Sequence, residues 1–233
     1  MKTQFLVTVF CLMLAYPMFA QQGDNPSGQK GFVCGDEIKD TRDGKAYKTV
    51  QIGTQCWMSE NLNIGTRIKG TKEQTNNATV EKYCYNDLEE NCNVYGGLYQ
   101  WNEMMKYSEA PKSPGLCPTG WHVPADDEWD ALIAYLEGDV NAGRKMKEQG
   151  DSHFMLPNFG ANNKSGFTAL PGGYSYATGS NFYANLQKSG YFWSSSSENT
   201  TDAYVRMLGY ANERIWRYLS YKSTGSSVRC IAD

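Results

Sequence analysis

The chain has 233 residues, with 22 lysines and arginines against 25 aspartates and glutamates, so its formal net charge is −3. This balance excludes the basic surface typical of nucleic-acid-binding proteins and gives no attraction to an anionic membrane. Aromatic residues make up 13% of the chain, which also contains 23 glycines, and this favours a strand-rich globular protein over a disordered chain or a helical bundle. Two histidines are too few for a multi-histidine metal centre.

The first twenty residues have the pattern of a secretory signal peptide. Lys2 precedes an apolar stretch from Phe5 to Met13, which is too short to span a bilayer, and the small residue Ala20 ends the segment. We expect cleavage after residue 20, the alternative being an uncleaved anchor. Because no later stretch reaches membrane-spanning length, we predict no transmembrane segment after cleavage and a secreted, cell-surface or periplasmic location.

Residues 21–31 are polar and lack periodicity, which predicts a flexible leader, and residues 32–233 show no repeat or long linker, which predicts one domain. The turn pair Asp43-Gly44, followed by alternation that places Val50 and Ile52 on one face, predicts an N-terminal β-hairpin. A further strand is expected over 55–58. The polar stretch 66–82 is predicted to be a surface loop.

Two amphipathic helices are predicted in the middle of the chain, within GGLYQWNEMMKY and DDEWDALIAYL. Their apolar stripes consist of Leu98, Trp101 and Met105 in the first helix and of Trp129, Leu132, Ile133 and Leu136 in the second. A third helical segment is expected over 142–148. The part of the chain after Phe154 is rich in glycine, serine and aromatic residues. Strands are expected there at 167–170, 190–194, 203–208, 215–219 and 228–231. This order of elements fits an α+β domain.

Six cysteines remain once the signal peptide is removed: Cys34, Cys56, Cys84, Cys92, Cys117 and Cys230. An even number in an exported chain predicts three disulfides, although six cysteines allow fifteen pairings. Pairing cysteines that are near in sequence joins Cys84 to Cys92 and Cys34 to Cys56, which leaves Cys117 for Cys230.

Several ordered blocks carry a family resemblance: DTRDGKAYKTVQIGTQCWMSENLN, YCYNDLEENCNVYGGLYQWNEMM, GLCPTGWHVPADDEWDAL, GFTALPGGY, GYFWSSS and SVRCIAD. From about Cys34 to its end the chain resembles the Fibrobacter succinogenes major paralogous domain. The resemblance implies an exported protein of Fibrobacter or Bacteroidetes-type bacteria, often a surface lipoprotein. The biochemical activity of that family is largely undefined.

The block GWHVPADDEW, followed by a helix and an aromatic-rich strand half that closes on a cysteine, is more distantly similar to C-type-lectin-like domains and to formylglycine-generating sulfatase-modifying proteins. This similarity implies a single, disulfide-stapled C-type-lectin-like domain with an N-terminal hairpin, two helices and a loop-rich antiparallel strand half. A Cys117–Cys230 bridge resembles the long clasp of such domains. Ala125 stands where a Ser or Thr N-cap is expected, so Asp126 must cap the helix or about 1 kcal/mol is lost.

A ligand site is predicted around the serine run of residues 194–197. Its candidate residues are Trp193, Glu198, Asn199, Asp202 and Trp216. The two tryptophans offer flat apolar faces for a sugar, although burial in the core is the more common fate of such side chains.

Calcium is a possible cofactor, since it takes six to eight oxygen ligands. Asp87, Glu89 and Glu90 supply carboxylates between two cysteines, and a second oxygen-rich cluster is formed by Glu198, Asn199 and Asp202. A solvated turn has the same composition, and the calcium-binding triplets of sugar-binding C-type lectins are missing from the sequence. We therefore predict no essential cofactor.

No Gly-x-Ser-x-Gly elbow, His-Glu-x-x-His motif or phosphate loop occurs in the sequence. The cysteines of the mature chain are expected to form structural bridges, which leaves none for oxidase chemistry. We therefore predict a protein that is not an enzyme, an exported bacterial surface binding or adhesion module that takes a glycan or a surface protein as partner. The alternatives are a structural subunit of a surface assembly and, third, an oxidase or hydrolase.

Overall fold

The computed structural model describes residues 31–176 and 182–233, which form a mixed α/β structure made mostly of sheets with a few short helices. The strands are β1 Glu37–Lys39, β2 Ala46–Ile52, β3 Gln55–Met58, β4 Thr66–Arg67, β5 Glu81–Lys82, β6 Trp121–His122, β7 Gly172–Ser175, β8 Tyr183–Leu186, β9 Ser189–Ser197, β10 Asp202–Gly209, β11 Ile215–Tyr221 and β12 Ile231–Ala232. The helices are α1 Glu89–Tyr95, α2 Trp101–Met104, α3 Asp126–Tyr135 and α4 Asp139–Met146. The predicted signal peptide and residues 21–30 of the predicted leader lie outside the described residues.

The N-terminal hairpin belongs to a five-stranded antiparallel sheet with the order β1-β2-β3-β12-β6. Gly44 turns the chain between β1 and β2 at a φ of +77°, a conformation that favours glycine. Ile231 in β12 pairs with both Trp57 in β3 and His122 in β6. Strand β12 therefore lies between β3 and β6 and joins them in one sheet. The predicted hairpin and the strand over 55–58 are confirmed.

The second sheet has the order β11-β10-β9-β7-β8 and is antiparallel except where β7 runs parallel to β9. Strand β9 lies at its centre and is buried on both faces. Phe192 packs with Trp129 and Phe167 against helix α3, whereas its neighbour Trp193 packs with Trp101 in a second apolar cluster. The core therefore lies on both sides of β9.

Arg229 is wholly buried and ties the last segment of the chain to the rest of the fold. Its guanidinium donates to the side chain of Asn61 at 2.6 Å and to the carbonyls of Met58, Phe167 and Thr168 at 3.1, 2.6 and 2.9 Å. The guanidinium carbon lies 4.5 Å from the centre of the Phe167 ring. Burial lowers the pKa of Arg229, and these neutral acceptors take the place of water around the cation.

The first predicted helix is shorter than expected. The segment begins with Gly96 and Gly97, Leu98 pairs with Tyr83, and Tyr99 pairs with Ser226, so helix α2 begins only at residue 101. A separate helix, α1, occupies the preceding stretch, where the sequence predicted a turn. Tertiary strand pairing overrides the local apolar spacing here.

Other segments also depart from the predictions. The predicted loop 66–82 contains the two-stranded parallel sheet of β4 and β5, and helix α4 begins three residues before the expected third helical segment. The expected strand at 167–170 is reduced to a single bridge at Ala169. Of the strand expected at 228–231, only Ile231 belongs to a strand, the two-residue β12.

Helix α3 and strands β9, β10 and β11 lie where predicted, with ends that differ from the prediction by at most three residues.

The three disulfides join Cys34 to Cys56, Cys84 to Cys92 and Cys117 to Cys230. These are the pairs predicted from the sequence, and Cys230 is buried in the core. Three disulfides are consistent with an extracellular protein. Within the described residues, no helix combines the length and the apolar character needed to cross a bilayer.

Candidate functional site

A cleft of about 670 Å³ opens on the face of the second sheet that carries Trp193. We name it the tyrosine cleft, because five of its twelve lining residues are tyrosines. The lining consists of Tyr174, Tyr176, Tyr191, Asp202, Val205, Tyr218, Leu219, Ser220, Tyr221, Ser223, Thr224 and Ser226.

Strand register brings these side chains together. Val205 in β10 lies opposite both Trp193 in β9 and Tyr218 in β11, so the three side chains share one face of the sheet. Tyr191 is two residues from Trp193 in β9, so its side chain lies on the same face of the sheet. The segment 223–226, which contains serine and threonine, pairs with β7 through Gly225 and Ser175.

The tyrosine rings form two groups in the cleft. On the β7 side, the Tyr174 ring centre lies 4.8 Å from that of Tyr176 and 4.9 Å from that of Tyr191, both in edge-to-face contact. On the β11 side, Tyr218 stacks on Trp216 with a centre-to-centre distance of 6.1 Å and an angle of 19°. Tyr176 and Tyr218 are each 43% exposed, so both sides offer aromatic surface to a ligand.

The tyrosine hydroxyls add polar groups to the apolar rings. Asn185 donates to the Tyr191 oxygen at 2.8 Å, and Tyr174 donates to Tyr176. Burial raises the pKa of Tyr174 and that of Tyr191, so both phenols stay protonated and able to donate at neutral pH. The cleft thus combines flat rings with hydroxyl donors and acceptors.

Asp202 is the one charged residue among the described residues that line the cleft. It begins β10 opposite Tyr221, and its carboxylate accepts a hydrogen bond from the Thr201 hydroxyl at 2.6 Å. Its backbone N–H donates to the side chain of Asn199 at 2.8 Å. The turn therefore fixes the position of Asp202, whose side chain shares the face of β10 that carries Tyr204.

The family model described as the Fibrobacter succinogenes major domain matches residues 50–232. The chain belongs to the Fibrobacter succinogenes major domain family. It has no significant match among curated proteins or among solved structures. The matched range contains the whole tyrosine cleft, so the cleft is built within the Fibrobacter succinogenes major domain.

The predicted site residues do not converge on one surface. Trp193 is 0% exposed, and its indole N–H donates to the Tyr99 carbonyl at 2.8 Å. The prediction that Trp193 offers a ligand platform is wrong, because β9 is the central strand of the sheet and both of its faces are covered. In this member of the Fibrobacter succinogenes major domain family, Trp193 lies beneath the cleft as part of the core.

Glu198 and Asn199 lie on the hairpin between β9 and β10. Glu198 accepts a hydrogen bond from Tyr204, whose side chain is on the opposite face of the sheet from the cleft. Asn199 accepts the backbone N–H groups of Thr201 and Asp202, each at 2.8 Å, and so stabilises the turn. Of the predicted residues, Asp202 alone lines the cleft, while Trp216, 37% exposed, extends it through its contact with Tyr218.

Two of the three carboxylates proposed for calcium, those of Asp87 and Glu89, are engaged by the protein itself. Asp87 accepts the hydroxyl of Tyr183 at 2.7 Å and the N–H of Gly70 at 2.8 Å. Glu89 lies 3.3 Å from Arg67 and 3.6 Å from Lys82, while Glu90 is exposed on the first turn of α1. In the described part of the chain, no three His, Cys, Asp or Glu residues form a group that could hold a metal ion.

The sequence prediction included only tryptophans as ligand platforms and therefore missed the tyrosines of the cleft. A signal was present in the spacing. One residue separates Tyr174 from Tyr176 and likewise Trp216 from Tyr218, and this spacing places each pair on one face of an extended chain. Aromatic residues at this spacing in two strands of one sheet predict an aromatic sheet face.

Proposed function

We propose that this protein is an exported, non-enzymatic surface binding module and that the tyrosine cleft takes a glycan. The observation that supports it best is the lining of the cleft, in which five of the twelve residues around a volume of about 670 Å³ are tyrosines. Sugars present apolar ring faces edged by hydroxyls, and amphipathic aromatic side chains complement both. Three disulfides suit a protein exposed to an oxidising environment.

The titratable groups in the cleft favour binding over hydrolysis. Most glycoside hydrolases use two carboxyl groups on either side of the scissile bond. Among the described lining residues, Asp202 is the single carboxylate, and the other titratable groups are tyrosines.

A glycan array and a Tyr218→Ala variant test this proposal. We expect the purified protein to bind a subset of plant or host glycans, with or without a calcium chelator. Removal of the Tyr218 ring should weaken binding about tenfold, as expected for a partly exposed aromatic anchor. Calorimetric titration with the best glycan measures the change.

The matched control is Tyr135→Ala, since Tyr135 is 63% exposed but lies on helix α3. Its affinity should equal that of the unmodified protein. Absence of binding to any glycan would refute the proposal, as would an equal loss of affinity in both variants.

We propose a C-type-lectin-like architecture as the finer description of the fold. The Cys117–Cys230 bridge supports it, because it holds the end of the chain beside the strand that precedes helix α3. An experimental structure that superposes on C-type-lectin-like domains with the same order of strands and the same clasp tests this description. A different strand order would contradict it.

A second candidate function is a structural subunit of a surface assembly. Strand β11 is an edge of its sheet, and Leu219 and Tyr221 on it are 52% and 69% exposed. An edge strand with large exposed apolar residues is suited to pairing with another chain. Isolation of native surface complexes tests this alternative, and recovery of the protein always alone would count against it.

A further inference from the structure

The side chains of Lys82 and Asn63 meet inside the fold. The two residues are only 4% and 7% exposed, and the Lys82 Nζ lies 2.6 Å from the Asn63 Oδ1. We propose that these residues form an intramolecular isopeptide bond, in which the Lys82 Nζ replaces the amide nitrogen of Asn63. This modification is separate from the glycan-binding function proposed above.

The geometry holds the two reacting groups against each other. Because the Oδ1 is bonded to Cγ at about 1.2 Å, the Lys82 Nζ lies no more than about 3.8 Å from the carbon that it attacks. On its other side, the Asn63 carboxamide donates from Nδ2 to the Cys92 carbonyl at 2.8 Å. The Asn63 backbone N–H donates to the Tyr47 hydroxyl at 3.1 Å. The carboxamide is therefore fixed beside the amine, as an intramolecular reaction requires.

The surroundings of Lys82 favour the neutral form of its amine. Burial lowers the pKa of Lys82 and the charge of Lys45 lowers it further, and together they outweigh the opposing effect of Glu89. Only the unprotonated amine has the lone pair that attacks a carbonyl carbon. Lys45 itself donates to the backbone carbonyl of Asn63 at 2.8 Å. Lys82, which contacts the carboxamide, is therefore the nucleophile.

Glu89 is placed to transfer the proton, since its Oε1 lies 3.6 Å from the Lys82 Nζ. The Nζ lone pair forms a bond to the Asn63 Cγ while the Glu89 carboxylate accepts a proton from Nζ. The protonated Glu89 then donates this proton to Nδ2, the Cγ–Nδ2 bond breaks, and Nδ2 leaves as ammonia. The products are a secondary amide and one molecule of ammonia, and the step needs no oxidant or reductant.

The bond would secure the small parallel sheet of β4 and β5. Asn63 and Lys82 are separated by 19 residues in the sequence, and Lys82 pairs with Arg67 in that sheet. Each of the two strands has only two residues. A covalent link at this point constrains the unfolded chain as a disulfide does. Unlike the three disulfides, it would survive reducing agents.

Peptide mapping of the purified protein tests the proposal. After reduction and alkylation of the cysteines, we expect trypsin to release residues 49–67 and 73–106 as one linked species, lighter than the two peptides together by one molecule of ammonia. Without the bond, trypsin also cuts after Lys82, and residues 73–82 and 83–106 appear as separate peptides. Tandem mass spectrometry locates the link. This localisation is essential, because Gln21, the expected N-terminal residue, loses the same ammonia when it cyclises.

The variant Glu89→Gln tests the proton transfer. The Glu89 side chain is 48% exposed, so the variant should keep the fold, which thermal melting checks. We expect the freshly purified variant to be mostly unlinked, because acid–base catalysis contributes about 100-fold or more to the rate of such a step. The matched control is Glu90→Gln, which removes the adjacent exposed carboxylate on α1 and should remain fully linked.

The map of the unmodified protein decides the matter even if a variant fails to fold. Separate peptides, with cleavage after Lys82, would overturn the proposal, and so would a link between Asn63 and Lys45. Full linkage in Glu89→Gln would overturn the role of Glu89. The readout is a covalent bond, so its outcome does not depend on whether the protein binds a glycan.

Discussion

His122 lies between two carboxylates near the end of the chain. Its Nδ1 is 2.7 Å from Asp233 and its Nε2 is 3.0 Å from Glu128. Ionised carboxylates only accept hydrogen bonds, so the ring satisfies both when each nitrogen carries a proton. Burial lowers the pKa of His122, but the hydrogen bonds to Glu128 and Asp233 outweigh it and the pKa is raised.

This pair of contacts predicts a pH-dependent contribution to stability. The raised pKa of His122 gives a contribution that is complete below its unfolded pKa, about 6.5, and is lost as the pH rises through the folded value. Burial raises the pKa of Glu128, but His122 and the Ala125 N–H lower it further, so its contribution is lost as the pH falls below about 4.3. The contribution is therefore greatest between these two values.

We expect His122→Gln to lower the free energy of unfolding by about 1 kcal/mol more near pH 5.5 than near pH 9. Urea denaturation at the two pH values measures the difference. His153→Gln is the control, since His153 contacts a single carboxylate, that of Glu148, at 2.8 Å. A cost of His122→Gln that is the same at both pH values would show that the imidazolium does not stabilise the fold.

At the scale of single elements, the start of helix α3 shows how a neighbouring strand replaces a missing cap. Ala125 occupies the N-cap position and has no side-chain oxygen. Glu128 accepts the Ala125 N–H at 2.8 Å, and the Ser196 hydroxyl of β9 accepts the Asp126 N–H at 3.0 Å. Of the two alternatives, capping by Asp126 and loss of the cap, the first does not occur, because the Asp126 carboxylate pairs with Arg206 and Arg217.

Ser196→Ala should therefore act like the loss of an N-cap. We expect the free energy of unfolding to fall by about 1 kcal/mol, because one N–H at the helix start loses its acceptor. Thermal denaturation compares it with Ser197→Ala, the adjacent serine of the same strand. Equal stability of the two variants would contradict the assigned role of Ser196.

At the scale of the whole molecule, the Cys117–Cys230 bridge closes the longest loop, with a sequence separation of 113 residues. The other two bridges span 22 and 8 residues. A disulfide that closes a longer loop removes more conformational entropy from the unfolded chain. The resulting stabilisation is about 4.7 kcal/mol for a loop of 100 residues and about 3 kcal/mol for a loop of 15. The bridge also joins the segment before β6 to the last strand of the same sheet.

We expect the double variant Cys117→Ala, Cys230→Ala to lose the most stability of the three paired substitutions, by about 4 to 5 kcal/mol. Chemical denaturation under non-reducing conditions ranks the three variants, with the Cys84 and Cys92 pair expected to lose least. A different ranking would contradict the loop-entropy argument. Peptide mapping that links Cys84 to a cysteine other than Cys92 would contradict the pairing itself.

The sequence by itself determined the features that depend on local pattern. The Asp43-Gly44 hairpin, helix α3 and strands β9 to β11 follow from turn chemistry and from the spacing of apolar residues. The disulfide pairs could also be predicted, since two of them close short loops and leave a single choice for the third.

Only the tertiary structure decided which aromatic residues are exposed. Phe192 and Trp193 both lie in the core because β9 is covered on its two faces, a fact of strand order that its own sequence does not carry. Strand register places Tyr191 and Tyr218 on the same face of the sheet, on either side of β10, although they are far apart along the chain. The tyrosine cleft depends on pairings between distant segments, and local residue patterns do not specify those pairings.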